Sequence, residues 1–275
     1  MAHLSTLGWI VGFTLLGGVA GVLVASLFLL VPQRARARAL PPMVAFATGA
    51  LLAAALLGLL PEAIELAGPD NHGAVGLSLL GGIALFFILE KLVLWRHCHE
   101  DHCETHAPAV HGHAHGHAHD QDHTRASSGT MILVGDTMHN VLDGVLIAAA
   151  FLIDVNLGVL TGLAVLAHEI PSEVGNFAVL LNSGMSRRRA FGWNLVSALG
   201  AVVGGVIGYF ALSAVTPLLP YALAVSAASL LYVAVADLIP GLHRRTGAQD
   251  GLVQVALIGL GIGLVVVVGH LAPHH

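Results

Sequence analysis

Apolar positions in this chain run in unbroken blocks. Eight stretches of 20 residues or more carry almost no charge, at 7–31, 40–60, 74–95, 129–153, 157–181, 190–213, 218–237 and 251–271. A half-buried strand would alternate every second residue, and a soluble surface helix would keep a polar face. Segments apolar on all sides and of this length match the hydrocarbon thickness of a bilayer when helical. A helix also satisfies its own N–H and C=O groups where no water can do so. The pattern predicts an all-α, polytopic membrane protein with eight transmembrane helices. The first stretch is longer than a signal-peptide core and has no basic segment before it, so it is expected to be a retained helix.

The polar positions orient those spans. All eleven basic residues are Arg34, Arg36, Arg38, Lys91, Arg96, Arg125, Arg187, Arg188, Arg189, Arg244 and Arg245. They fall in the connections after spans 1, 3, 5 and 7, or at the span ends facing them. The connections after spans 2, 4 and 6 hold none. Basic residues accumulate on the cytoplasmic side, so both termini are expected outside. The expected location is the cell membrane, as a multi-pass protein of a bacterial inner membrane. Composition agrees: 56% of residues are hydrophobic and 10% charged, against about 25% charged in a soluble domain. The net charge of -5 says little about partners, because the charges are few and sorted by side; a nucleic-acid partner is not expected.

Spans 2 and 7 resemble each other. The run from Leu51 to Pro61 aligns without gaps on the run from Leu230 to Pro240, with five of eleven positions identical. Span 2 runs outward and span 7 inward, so the repeat is inverted, with spans 1–3 set against 6–8 and spans 4 and 5 between. This inverted 3+2+3 arrangement is common in transporters, which hold substrate at mid-membrane near the repeat interface. The chain divides into residues 1–96 (spans 1–3), a cytoplasmic His-rich loop at 97–128, residues 129–182 (spans 4 and 5) and residues 183–275 (spans 6–8). Ten histidines lie between His97 and His123. His97, Cys98, His99, His102 and Cys103 gather soft and borderline metal ligands within seven residues. The two cysteines therefore read as thiolate ligands rather than as a disulfide.

Charge inside spans 4 and 5 is the chemical signal. His139-Asn140-Val141-Leu142-Asp143-Gly144 lies at the centre of span 4, and His168-Glu169-Ile170-Pro171-Ser172-Glu173 at the centre of span 5. Ionisable groups at that depth cost roughly 2.5–3.5 kcal/mol each on insertion scales, so they mark function. His139 and Asp143 are four apart on one helical face, and Asp136 continues the stripe. His168 with Ser172, and Glu169 with Glu173, repeat the spacing on span 5, with Asn176 following. A connection of three residues makes the spans antiparallel neighbours, so the stripes face each other. Pro171 frees the carbonyl of Ala167 and tends to kink the helix beside His168. Imidazole with carboxylate suits Zn²⁺ and related divalent ions. No resident cofactor is expected; the ion is cargo.

These motifs resemble those of the ZIP (Zrt-, Irt-like protein) divalent metal transporters, in the branch with HNxxDG on the fourth helix and HExPHE on the fifth. The first motif is matched in full, the second except at Ser172. The resemblance implies that His139, Asn140, Asp143, His168 and Glu169 are metal ligands. It also implies that Ser172 occupies the place of a bridging residue between two ions, and that Glu173 is the motif's final glutamate. It implies import of zinc, or of iron, manganese or cadmium, into the cytoplasm, by an elevator-like or rocking motion of helix bundles in a homodimer. Asp136, Asn176 and Asp237 are candidates for the exit path, Glu62 and Glu65 for the entrance, and Asn194 and Ser197 for weak ligands. The rival reading is an intramembrane zinc hydrolase. An HExxH hydrolase places a second zinc-binding His four residues after the first, and here that position is Ser172.

Overall fold

A computed structural model describes residues 2–97, 118–243 and 247–271. Eight helices are long and apolar enough to cross a membrane: α1 (Ser5–Phe28), α2 (Gln33–Ala67), α3 (Pro69–Leu92), α4 (Ile132–Ile153), α5 (Val155–Asn182), α6 (Arg187–Ala214), α7 (Thr216–His243) and α8 (Asp250–His270). No strand occurs among the described residues. The chain is an all-α, multi-pass membrane protein.

Hydropathy located the helices and understated their lengths. α2 begins at Gln33, so Arg34, Arg36 and Arg38 ride on its first turns instead of in a connection. α7 continues past Asp237 to His243. The helix that carries α4 starts at Ala118, so residues 118–128 continue a helix where a loop was expected. The reason is physical. Hydropathy reports the solvent around a side chain, whereas the hydrogen-bond ladder continues into water wherever backbone propensity allows. Cys98, His99, His102 and Cys103 lie outside the described residues. His97 closes the helix of α3.

Two prolines leave a matching signature. Residues Ala54–Leu59 of α2 and Val233–Leu238 of α7 are π-helical, and Pro61 and Pro240 follow two residues later. A proline ring clashes with the carbonyl four residues before it and offers that carbonyl no N–H. Those positions, Leu57 and Ala236, fall inside the π segments, where the wider i→i+5 turn relieves the conflict. The π segments occupy equivalent places in the two aligned runs.

Lipid is as apolar as leucine, so close packing and small residues must hold the helices together. A methyl group on Gly204 of α6 would fall 1.9 Å from the carbonyl oxygen of Val141, and one on Gly144 of α4 would fall 2.0 Å from that of Ala201. α4 and α6 therefore touch backbone to backbone along the turn that carries Asp143. Gly49 of α2 and Gly261 of α8 make the same contact, against Ile258 and Phe46. α3 packs on α7. The shared core of α2, α4, α5 and α7 is rich in alanine and leucine, with Leu51, Leu59, Ile147, Leu223 and Leu230 fully enclosed. α3 and α8 lie outermost, with only 17% and 11% of their most apolar stretches buried inside the bundle.

Candidate metal centre

The α4/α5 hairpin sets the register of the site. Asp154 caps α5, its Oδ1 accepting from the backbone N–H of Asn156 (2.7 Å) and Leu157 (3.2 Å). This tight turn brings His139 and His168, 29 residues apart in sequence, to the same depth. Pro171 stays within an unbroken α-helix, and no π segment forms there.

Nε2 of His139 lies 3.1 Å from Nε2 of His168. Oδ2 of Asp143 lies 3.3 Å from the His168 nitrogen and 3.6 Å from the His139 nitrogen. With Glu169, these residues place four ligand atoms within 4.8 Å of one another. The triangle has a chemical meaning. Zinc bonds nitrogen at about 2.0–2.1 Å and carboxylate oxygen at about 2.0–2.2 Å, so neighbouring ligands of a tetrahedral ion stand about 3.3 Å apart. The three observed edges bracket that value.

The two Nε2 atoms are within hydrogen-bond distance of each other, whereas the carboxylate oxygens lack hydrogen-bond partners. Neither oxygen of Asp143 or Glu169 has a well-directed hydrogen-bond donor, and both side chains are buried. An uncompensated buried carboxylate is strongly unfavourable; a divalent cation between the carboxylates and the imidazoles removes that cost. His139 is the one open member, with 24% of its side chain exposed against 2% for His168. A transported ion needs such an opening, whereas a structural zinc site is closed.

One turn nearer the α5 C-terminus a second polar layer is largely self-satisfied. Asp136 accepts hydrogen bonds from Asn176 (2.6 Å) and Ser197 (2.5 Å), tying α4 to α5 and α6. The Ser197 hydroxyl is also 3.0 Å from that of Thr137. Asn140 is buried and donates its amide to the Asp136 carbonyl at 3.0 Å. Glu173 is fully buried without a hydrogen-bond partner, outside the four-residue group. Asn194 of α6 is likewise enclosed and unpartnered, and Ser172 is half-buried. Asp237 is exposed on α7, within electrostatic reach of His139, His168 and Glu90. Glu65 lines a cavity of about 510 Å³ beside His72, where α2 meets α3, away from the four ligands.

Sequence reasoning missed the pairing of Glu90 on α3 with the Tyr232 hydroxyl on α7. Glu90, an acid near the end of an apolar span, was the available signal. It also missed the α6 glycines that seat α4, although Gly200, Gly204 and Gly208 recur every four residues.

The family model described as ZIP Zinc transporter matches residues 5–269. Zinc transporter zipt-7.1 of Caenorhabditis briggsae is 30% identical over 97% of this chain and 81% of its own length. Zinc transporter ZIP13 of Gallus gallus is 30% identical over 86% of this chain and 76% of its own length. Zinc transporter ZIP10 of Homo sapiens is 37% identical over 58% of this chain, a stretch that covers 19% of that longer protein.

Proposed function

The chain belongs to the ZIP zinc transporter family, and from that premise we propose that it moves zinc across the membrane into the cytoplasm through the His139, Asp143, His168 and Glu169 centre. The observation that carries this reading is the triangle of imidazole and carboxylate atoms with edges of 3.1, 3.3 and 3.6 Å, sized for one tetrahedral ion. Iron, manganese and cadmium share the ligand preference. The relatives are zinc transporters, and the family favours transport over the hydrolase. Ser172 in the place of the second His of HExxH argues the same way.

Both termini outside, in a bacterial inner membrane, is the topology supported by the sorting of basic residues. The inverted 3+2+3 arrangement draws support from the matched π segments and from the packing. Exchanging α1 with α6, α2 with α7, α3 with α8 and α4 with α5 converts the α2–α8 contact into α7–α3, and the α4–α6 contact into α5–α1. In this reading residues 129–182 carry the ion between the units 1–96 and 183–275. Asn140 and Glu173 join as further ligands and Ser172 as a weak one. Asp136, Asn176 and Asp237 line the way to the cytoplasm. The loop residues His97, Cys98, His99, His102 and Cys103 bind metal there. A homodimer through the outward faces of α3 and α8 completes the assembly.

Flux of radiolabelled zinc into proteoliposomes tests the transport reading. The native chain loads the vesicles and His168→Ala does not. Equal flux from both would remove this centre from the path, and peptide or ester hydrolysis without flux would reinstate the rival.

A further inference from the structure

At one end of the bundle the structure holds a pocket that the ion path does not use. Its volume is about 360 Å³, and it opens between the end of α1, the first turns of α2, the end of α5 and the start of α6. Arg36, Arg187 and Arg188 line it together with Leu29, Phe177 and Phe191. Three arginines thus line one cavity with an apolar wall, Arg36 half-buried and Arg187 and Arg188 exposed. Among the described residues no carboxylate pairs with any of the three. Nε of Arg36 is shut off from solvent and has no hydrogen-bond partner. A buried donor left unpaired is unfavourable, more so when charged, so the pocket is chemically unfinished.

We propose that this pocket binds the headgroup of an anionic phospholipid. Guanidinium forks match phosphate oxygens in pairs, and their planar, weakly hydrated charge suits a partly desolvated site. Basic pockets between transmembrane helices on the cytoplasmic side recognise anionic headgroups. The apolar wall fits the rest of a lipid better than it fits a free anion. Phe177, Leu29 and Phe191 belong to a small packed cluster around Leu180 and Ala190, and Leu30, also lining the pocket, is 71% exposed beside it. Acyl chains have an apolar surface to follow from the phosphate into the bilayer. Assignment to the inner leaflet rests on the topology proposed above; the pocket and its ligand chemistry do not. A lipid held there ties the first turns of α2 to α5, the helix that bears His168.

The test uses the full chain, delipidated and exposed to phosphatidylglycerol or phosphatidylcholine, with retained lipid counted by native mass spectrometry. The native protein is expected to favour phosphatidylglycerol by at least about tenfold. The variant Arg36→Gln, Arg187→Gln, Arg188→Gln loses that preference. The control Arg34→Gln, Arg38→Gln, Arg189→Gln removes equal charge from the same end of the bundle, outside the pocket, and keeps it. Arg36→Lys keeps the charge without the fork and gives an intermediate preference; it also guards against a triple variant that fails to fold, which circular dichroism would reveal. Equal retention by lining and control variants would overturn the proposal. So would displacement of the bound lipid by inorganic phosphate at millimolar concentration, which would mark the pocket as a site for the free anion. Retention is read without zinc, so a failed transport reading leaves this result independent.

Discussion

Asp136 and Asp143 sit two turns apart on the same helix, both buried, in opposite chemical conditions. Asp136 accepts from Asn176 and Ser197 at 2.6 and 2.5 Å. Asp143 receives no well-directed hydrogen bond and instead faces two imidazole nitrogens at 3.3 and 3.6 Å. The first carboxylate has its partners within the fold, and the second awaits a partner from outside it. Identical side chains on one helix therefore separate into a brace between three helices and a carboxylate left free to take a metal ion, and the distinction comes from what neighbouring helices supply.

The comparison breaks most visibly at the ligands. His168→Ala or Asp143→Asn is expected to reduce zinc flux in proteoliposomes to background, since the first removes one corner of a three-donor triangle and the second replaces its carboxylate with a weaker, uncharged amide oxygen. Gly204→Ala tests the frame next. Its methyl meets the Val141 carbonyl at 1.9 Å, and overpacking of this kind costs about 1–3 kcal/mol. Thermal unfolding should fall accordingly, and zinc affinity should weaken as α4 shifts relative to α5.

Asp136→Asn should do less. An asparagine still accepts from Ser197, so flux is expected to fall less than about tenfold, below the roughly 10–100-fold range seen when a supporting hydrogen bond at a metal site is lost outright. A loss as deep as that of Asp143→Asn would erase the distinction between the two layers. Acidification sharpens it from another side. Metal ligands must be deprotonated to bind, so protons compete with zinc at the imidazoles. Apparent zinc affinity should fall as pH is lowered, in the native chain and in Asp136→Asn alike. The smallest effect is expected at Ser172. A half-buried hydroxyl is a weak zinc ligand beside imidazole and carboxylate, so Ser172→Ala should change flux by less than about threefold. Ser172→His, which restores the imidazole of HExPHE, should tighten binding and slow release.

Much of this was legible in the chain itself. Span number and the antiparallel seating of α4 on α5 follow from apolar runs and a short connection, and four-residue spacing put His139 with Asp143 on one face, because each reflects a single helix and its solvent; the choice of His168 and Glu169 beside them came with the motif resemblance. The helix ends were less legible, since Arg34 on α2 and Asp237 on α7 lie where the ladder outlasts the hydrocarbon. Spacing alone did not separate Asp143 from Asp136; the motif resemblance did, and the bracing role of Asp136 was not legible. Asp136 looks like Asp143 in sequence, and what distinguishes it is Ser197, 61 residues away on α6. The backbone contact between Gly204 and Val141 that fixes this distance is equally non-local. The π segments lie between these cases. Pro61 and Pro240 announced a disturbance, and only the helices showed how it is absorbed.

In the proposed mechanism one ion is held by His139, His168 and Asp143, and anomalous scattering from crystals soaked in zinc locates the ion without reference to the loop histidines. The expected result is a peak within bonding distance of both Nε2 atoms and of Asp143 Oδ2, absent in His168→Ala. A peak elsewhere in a protein that transports zinc, or one at this position that survives His168→Ala, would contradict it.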